Sequence, residues 1–241
     1  MNNNKQAVLL LGDDRIFHGD AFGSIGETTG EICFNTSMTG YQEILTDPSY
    51  AGQIITFTFP HIGNTGANDE DIETVTPAAR GLVVHEDITT ESNWRASKHF
   101  DEWLKRYDLP GICGVDTRAL TRRIRDKGAP KGVICHSADG KFDLEALQKQ
   151  AQDWSGLNGL DLAKDVSCTQ IYDWNETTWA LGEGYGKQDK PELHVVAIDF
   201  GAKRNIRRCL AAAGCKVTVV PANASPEEVL RHNPDGIFLS N

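Results

Sequence analysis

The sequence contains no long apolar run, and the stretch from Ala7 to Leu11 near its start has only five apolar residues. A membrane-spanning helix needs about 20 mostly apolar residues. A secretory signal needs an apolar stretch of about 7–15 residues followed by a cleavage site of small residues. The sequence therefore predicts no membrane span and no signal peptide, and we expect the chain to lie in the cytoplasm.

Cysteine pairs with metal-binding spacing are also missing. None of the six cysteines has another at the Cys-x-x-Cys distance that is typical of zinc sites and redox pairs. Isolated cysteines in a reducing compartment behave as small apolar residues and are mostly buried. We therefore expect no metal site. The six are Cys33, Cys113, Cys135, Cys168, Cys209 and Cys215.

Positive charge is scarce, since 24 lysines and arginines face 34 aspartates and glutamates, for a net charge of −10. Proteins that bind nucleic acids or anionic membranes need a positive field, so the composition predicts neither class. One predicted helix nevertheless carries four arginines, which can bind a phosphate or a partner. A solvated helix face is the simpler interpretation, and we favour it. The four are Arg118, Arg122, Arg123 and Arg125.

The length of 241 residues, with 39% apolar residues, is enough for two small domains. Residues 1–150 alternate short apolar runs with turn residues, which predicts a β-rich domain with peripheral helices. Residues 151–192 are Gly-rich, charged and poorly periodic, which predicts a linker. Residues 193–241 follow the pattern β-α-β-α-β, the first part of a doubly wound parallel sheet. The predicted fold class is therefore α/β.

Two short motifs resemble nucleotide-binding sequences but lack the necessary context. Asp199-Phe200-Gly201 spells the metal-binding tripeptide of protein kinases, yet the accompanying H-R-D and Gly-rich loops are absent from the sequence. Gly182-x-Gly184-x-Gly186 follows no predicted strand and opens no predicted helix, as a dinucleotide loop must. We expect a strand-to-helix turn at the first motif and linker at the second. The residues alone support no named reaction.

Longer segments resemble one protein family. The segment GEICFNTSMTGYQEILTDPSYAGQIITFTFPHIGNTGAND is similar to the signature region of the small, glutamine-hydrolysing subunit of carbamoyl-phosphate synthetase. The later segments GVDTRALTRRIRDKGAPKG, LNGLDLAKDVS and VVAIDFGAKRNIRRCLAAAGCKVTVVPANASPEEVLRHNPDGIFLSN resemble further blocks of the same family. The resemblance extends over nearly the whole chain and is more specific than any short motif.

The resemblance implies a small subunit whose N-terminal β-rich domain packs on a large subunit. Its C-terminal domain is expected to be a class I glutamine amidotransferase, in which a cysteine, a histidine and a glutamate release ammonia from L-glutamine. The ammonia passes through a tunnel to the large subunit, which makes carbamoyl phosphate for arginine and pyrimidine synthesis. We expect no cofactor in this chain, because ATP and magnesium are used by the large subunit.

The resemblance carries over one site residue, Ser49, which corresponds to a serine that helps to hold the glutamine. Its hydroxyl can both donate and accept hydrogen bonds, which suits a zwitterionic amino acid. Without the resemblance, the residues alone favour an ordinary turn serine. In the family this serine reaches a glutamine pocket that is built mainly by the other domain.

No catalytic residue is carried over. In the family the nucleophilic cysteine comes after the block GIFLSN, at a strand-to-helix turn. Cys209 lies inside a predicted helix and Cys215 begins a predicted strand, so neither is expected to replace it. We therefore expect the chain to represent an N-terminal part of the small subunit that is inactive by itself. A non-catalytic module that only docks on the large subunit is the alternative.

Overall fold

A computed structural model describes residues 6–240. The chain divides into two compact units, Met1–Gly159 and Leu160–Asn241. Residues 1–5 and 241, at the ends of the first and third predicted segments, lie outside the described residues.

The described part of the first unit contains seven strands. They are β1 (Gln6–Leu11), β2 (Ile16–Gly23), β3 (Gly26–Asn35), β4 (Gln53–Phe57), β5 (Gly81–Val83), β6 (Pro110–Cys113) and β7 (Lys131–His136). The strands form a closed barrel in the order β1-β2-β6-β5-β4-β3-β7. Neighbours from β3 through β4 and β5 to β6 are parallel, and the other pairs are antiparallel.

Aliphatic side chains form the core of the barrel. Leu9, Ile32, Ile54, Val83 and Ile134 come from five different strands, and all are wholly buried in one cluster. Successive residues of a strand point to opposite faces, so alternate positions fill the interior. Burying one such side chain contributes about 1.5–3 kcal/mol, which makes this cluster a main source of stability. The β-rich N-terminal region predicted from the sequence is confirmed.

The helices of the first unit are α1 (Tyr41–Thr46), α2 (Phe100–Arg106), α3 (Thr117–Lys127) and α4 (Leu144–Asp153). Two of them begin at aspartates that accept a hydrogen bond from a backbone N–H of the first turn. Asp116 accepts from Ala119 at 2.9 Å, and Asp143 accepts from Ala146 at 3.0 Å. Such caps satisfy donors that have no partner within the helix and contribute about 1 kcal/mol each.

The second unit contains α5 (Leu162–Val166), β8 (Tyr172–Trp174), β9 (Glu176–Ala180), β10 (Gly184–Lys187), β11 (Leu193–Asp199), α6 (Arg204–Ala212), β12 (Cys215–Pro221), α7 (Pro226–Arg231) and β13 (Gly236–Leu239). Its main sheet has the order β13-β11-β12-β8. Strand β11 is parallel to both β12 and β13, while β8 runs antiparallel to β12. The predicted succession β-α-β-α-β is confirmed from β11 to β13.

The structure differs from the predicted linker over residues 151–192. Helix α4 continues to Asp153, and the remainder contains α5, β8, β9 and β10, all of which belong to the second unit. The aromatic residues Tyr172 and Trp174 of β8 pack against the buried valines of β12. Strands of three to five residues give little periodicity, so their pattern is lost among glycines and charges.

Two buried arginines of α6 connect this helix to β8, β9 and β10. Arg207 donates to the Tyr172 hydroxyl and lies over the Trp174 ring, 5.0 Å from its centroid. Arg208 donates from Nε to Glu176 at 2.7 Å, and its guanidinium lies 3.7 Å from the centroid of Tyr185. These ion-pair and cation–π contacts stabilise strands that are too short to be stable alone.

Replacing Arg208 with methionine is expected to lower the unfolding free energy of the second unit by about 1–3 kcal/mol. Methionine keeps much of the chain length but loses the Glu176 and Tyr185 contacts. Urea denaturation followed by fluorescence measures the loss. Arg231→Met, on the exposed side of α7, is the matched control and should change stability by less than about 0.5 kcal/mol. Equal effects of the two substitutions would show that the buried arginine does not stabilise the unit.

Candidate functional site

Ser49 lies in a 3₁₀ turn, Pro48–Tyr50, between α1 and β4. Asp47 caps this turn, and its Oδ1 accepts a hydrogen bond from the Ser49 backbone N–H at 2.9 Å. Pro48 fixes its own backbone angle at the first position of the turn. The Ser49 residue is exposed. The turn therefore holds the backbone of Ser49 and leaves its side chain at the surface.

The residues that follow Ser49 in the chain also make contacts that hold the turn in place. The Tyr50 hydroxyl accepts a hydrogen bond from Asn35 Nδ2 at 2.9 Å, which joins the turn to the end of β3. Gly52 has a φ of 76°, and a Cβ at this position would lie 2.7 Å from Leu157 Cδ2. A side chain at residue 52 would thus be both strained and crowded. Contacts on both sides therefore restrict the position of the exposed serine.

A second group of polar side chains lies at the carboxyl ends of the parallel strands of the second unit. Asp199 ends β11 and is buried; its Oδ1 accepts from the backbone N–H groups of Gly201 and Ala202 at 3.1 and 2.8 Å. Its Oδ2 accepts from the Cys168 backbone N–H at 2.9 Å. The Ser240 hydroxyl accepts from the Phe200 backbone N–H at 2.7 Å.

These bonds confirm that the Asp199-Phe200-Gly201 motif is a strand-to-helix turn. Gly201 has a φ of 103°, a conformation that other residues rarely adopt. The sequence indicated the turn but not the linking role of Asp199, because an aspartate after a buried strand is common at any such turn. Open α/β sheets bind ligands at the carboxyl ends of their strands, so this edge is the candidate site of the second unit.

An open pocket of about 320 Å³ lies at the carboxyl end of β12. One wall is the segment after α5, and the other is the start of the β12–α7 connection. A hydrogen bond joins these two walls: the Ser167 hydroxyl accepts from the Ala222 backbone N–H at 2.9 Å. The lining residues are Lys164, Ser167, Cys168, Thr169, Pro221, Ala222 and Asn223.

Four cysteines are poor nucleophiles at neutral pH. Burial raises the pKa of Cys33 and of Cys113 to about 12. Burial also raises the pKa of Cys135 and of Cys168 to about 11, and nearby Glu27 and Asp199 respectively act in the same direction. The thiolate is the reactive form, so these thiols are largely unreactive.

The remaining two cysteines lie where the sequence placed them. Cys209 is exposed within α6, and Cys215 is buried at the first residue of β12. Neither lies at a strand-to-helix turn, which is where the resemblance leads us to expect the nucleophile.

Thiol labelling under native conditions should modify Cys209 first. Cys33 and Cys113 should react more than about 100-fold more slowly at pH 7.5, because a pKa near 12 leaves almost no thiolate. Mass spectrometry of peptides after timed alkylation gives the order. Cys209→Ser should remove the fast reaction, and unfolding in urea should equalise the remaining thiols. Fast labelling of Cys113 in the folded chain would contradict the assignment.

Three of the four arginines of α3, namely Arg118, Arg122 and Arg125, are exposed and fit the solvated interpretation. The fourth does not, because the Arg123 side chain is only 9% exposed and donates to Asp13. Among residues 6–240, no group of three or more histidine, cysteine or acidic side chains is arranged to hold a metal ion. No helix in this described part is both long and apolar enough to cross a membrane.

Comparison with protein families gives two matches along the chain. Residues 9–134 match the model described as the carbamoyl-phosphate synthase small chain, CPSase domain. Residues 196–241 match the model described as class-I glutamine amidotransferase. The first match covers most of the first unit, which contains the barrel and is called the barrel unit below. The second match begins within β11.

Curated relatives match over nearly the whole chain. The carbamoyl phosphate synthase small chain of Ruegeria pomeroyi is 59% identical, with 98% of this chain and 61% of the relative covered. The protein of the same name from Bradyrhizobium diazoefficiens is 56% identical, with 98% and 60% covered. This chain thus spans about 60% of the length of these relatives. The solved structure of an aminopeptidase from Aneurinibacillus has a TM-score of 0.33 and 10% sequence identity to this chain, with 97% of this chain and 56% of the aminopeptidase covered. This similarity is too slight to bear on fold or function.

Proposed function

The chain belongs to the carbamoyl-phosphate synthase small chain family, and from this premise we propose that it acts in supplying ammonia from L-glutamine to a large subunit. The observation that carries the proposal is the order of the two family matches, a small-chain domain followed by a glutamine amidotransferase domain. The large subunit would use the ammonia with ATP and magnesium to make carbamoyl phosphate. We place this activity in the cytoplasm, in arginine and pyrimidine synthesis.

Ser49 is the proposed contact of the barrel unit with glutamine. Its backbone N–H donates a hydrogen bond to Asp47, so the exposed hydroxyl is the group proposed to bind glutamine. A hydroxyl can donate to the substrate carboxylate or accept from its ammonium group. Because the Asp47 cap and the Tyr50–Asn35 bond hold the turn, the backbone that carries the hydroxyl is positioned before the substrate arrives, which lowers the entropic cost of binding.

The second unit is proposed to contribute the first part of the amidotransferase sheet, in a doubly wound arrangement. Asp199 and Ser240 fix the connections at its carboxyl edge, where open α/β sheets bind their ligands. These residues would orient the backbone around the substrate rather than attack it. The nucleophile is proposed to be none of the six cysteines described above.

The test for Ser49 uses a full-length small chain that contains this sequence, in complex with its large chain. Ser49→Ala should raise the KM for glutamine about 10- to 150-fold, which corresponds to a lost hydrogen bond to a charged group of about 1.5–3 kcal/mol. Carbamoyl phosphate synthesis from added ammonia should be unchanged, because ammonia bypasses the glutamine site. Steady-state kinetics with each nitrogen donor measures both effects.

Ser92→Ala is the matched control, since Ser92 is also exposed in the barrel unit. Ser92→Ala should change neither the KM for glutamine nor the KM for ammonia. An unchanged glutamine KM in Ser49→Ala would make Ser49 an ordinary turn serine. An equal loss of the ammonia-dependent reaction would instead assign it a structural role.

A non-catalytic docking module is the second candidate for the 241-residue polypeptide taken alone. The raised pKa values of four cysteines and the positions of Cys209 and Cys215 favour it. The isolated polypeptide is expected to release no ammonia from glutamine, with or without the large chain, in a coupled glutamate dehydrogenase assay. Turnover that disappears in Cys209→Ser or Cys215→Ser would overturn this expectation.

A further inference from the structure

Asn35 is the last residue of β3, and hydrogen bonds fix the orientation of its side-chain amide. Its Oδ1 accepts from the Ser37 backbone N–H at 2.8 Å, and its Nδ2 donates to the Tyr50 hydroxyl at 2.9 Å. Only the amide oxygen can accept from a backbone N–H, so the NH2 group must face Tyr50. Asn35 therefore connects the end of a barrel strand to the residue next to Ser49.

The backbone of Asn35 is held in the wall of the barrel. Asn35 lies opposite Phe57 in the parallel pairing of β3 with β4, and its carbonyl accepts from the Thr58 N–H at 3.0 Å. Phe57 is wholly buried in the core. The backbone of Asn35 therefore cannot shift without breaking strand pairing, and its side chain gives the turn a rigid support.

Two kinds of hydrogen bond act on the turn that contains Ser49. Bonds inside the turn, from the Ser49 N–H to Asp47 Oδ1 and from the Tyr50 N–H to the Asp47 carbonyl at 3.1 Å, fix its shape. The bond from Asn35 to Tyr50, whose side chain also packs against the hydrophobic core, fixes the place of the turn relative to β3. Loss of the Asn35 bond would leave the shape of the turn intact and release its position.

We propose that Asn35 is a positioning residue for glutamine, which holds the Ser49 hydroxyl in its binding position through Tyr50. The inference rests on the proposed contact between Ser49 and glutamine, and it adds a residue that does not itself touch the substrate. Hydrogen bonds weaken steeply when their distance or angle changes, so a small displacement of the turn loses part of the Ser49 contact. The effect should therefore fall on glutamine binding and not on the use of free ammonia.

Steady-state kinetics of a full-length small chain that contains this sequence, in complex with its large chain, test this role. Asn35→Ala and Tyr50→Phe should each raise the KM for glutamine about 3- to 10-fold, as for one lost hydrogen bond between uncharged groups, with ammonia-dependent synthesis unchanged. Asn35→Asp should restore a KM near the wild-type value, because its carboxylate can accept from both the Ser37 N–H and the Tyr50 hydroxyl. Asn93→Ala is the matched control and should change neither reaction, since the Asn93 Oδ1 also accepts from an N–H two residues later, that of Arg95.

A double-mutant cycle with Ser49→Ala separates positioning from general stability. In the Ser49→Ala background, Asn35→Ala should change the glutamine KM by less than about twofold, because no hydroxyl remains to be positioned. Effects that multiply, or a wild-type KM in Asn35→Ala while Ser49→Ala raises the KM, would overturn the positioning role and leave the proposed function intact. An unchanged KM in Ser49→Ala would overturn both. An equal loss of the ammonia-dependent reaction in Asn35→Ala would make Asn35 a structural residue and overturn the proposal.

Discussion

The parallel pairing of β3 and β4 is the constraint on which the Ser49 site depends. Two neighbouring parallel strands cannot be joined by a tight hairpin, so the chain must cross from the end of β3 back to the start of β4. Helix α1 and the turn with Ser49 form this crossover. Because both strands belong to a closed barrel, the ends of the crossover are fixed, and the hydrogen bonds of Gln42, Asp47 and Tyr50 hold its interior.

The second unit uses a different means of ordering its backbone. Strands β11 and β12 carry valine-rich runs, but β8, β9 and β10 are short. Arg207 and Arg208 replace part of a hydrophobic core with aromatic and ionic contacts. At the carboxyl end of β11, the two oxygens of Asp199 accept from three backbone N–H groups. The backbone geometry at this edge thus depends on a few polar side chains.

The sequence predicted those parts of the fold that have strong local patterns. The β-rich first region and the succession from β11 to β13 follow from apolar runs, caps and turn residues. Strand β8 was missed because its partner is distant in sequence, with Trp174 opposite Val217. Strands β9 and β10 pair with each other but are too short to give a periodic pattern. The sequence also did not predict that the barrel closes, because β1 and β7 are far apart in the chain and their pairing leaves no local pattern.

The residues of the candidate site also differ in whether the local sequence could predict them. Ser49 was predicted only through a resemblance, because its surroundings are those of any turn serine. The links from Asp199 to Cys168 and from Ser167 to Ala222 join residues far apart in the chain, and no periodic pattern predicts them.

We propose that nitrogen from the side-chain amide of glutamine passes to the large subunit through a full-length chain that contains this sequence. The most direct measurement follows glutamine labelled with ¹⁵N at its side-chain amide, using a full-length chain that contains this sequence and its large subunit in excess unlabelled glutamate. The account predicts that the carbamoyl phosphate formed carries the ¹⁵N label. Carbamoyl phosphate formed without the label, or no product until free ammonia is added, would contradict it.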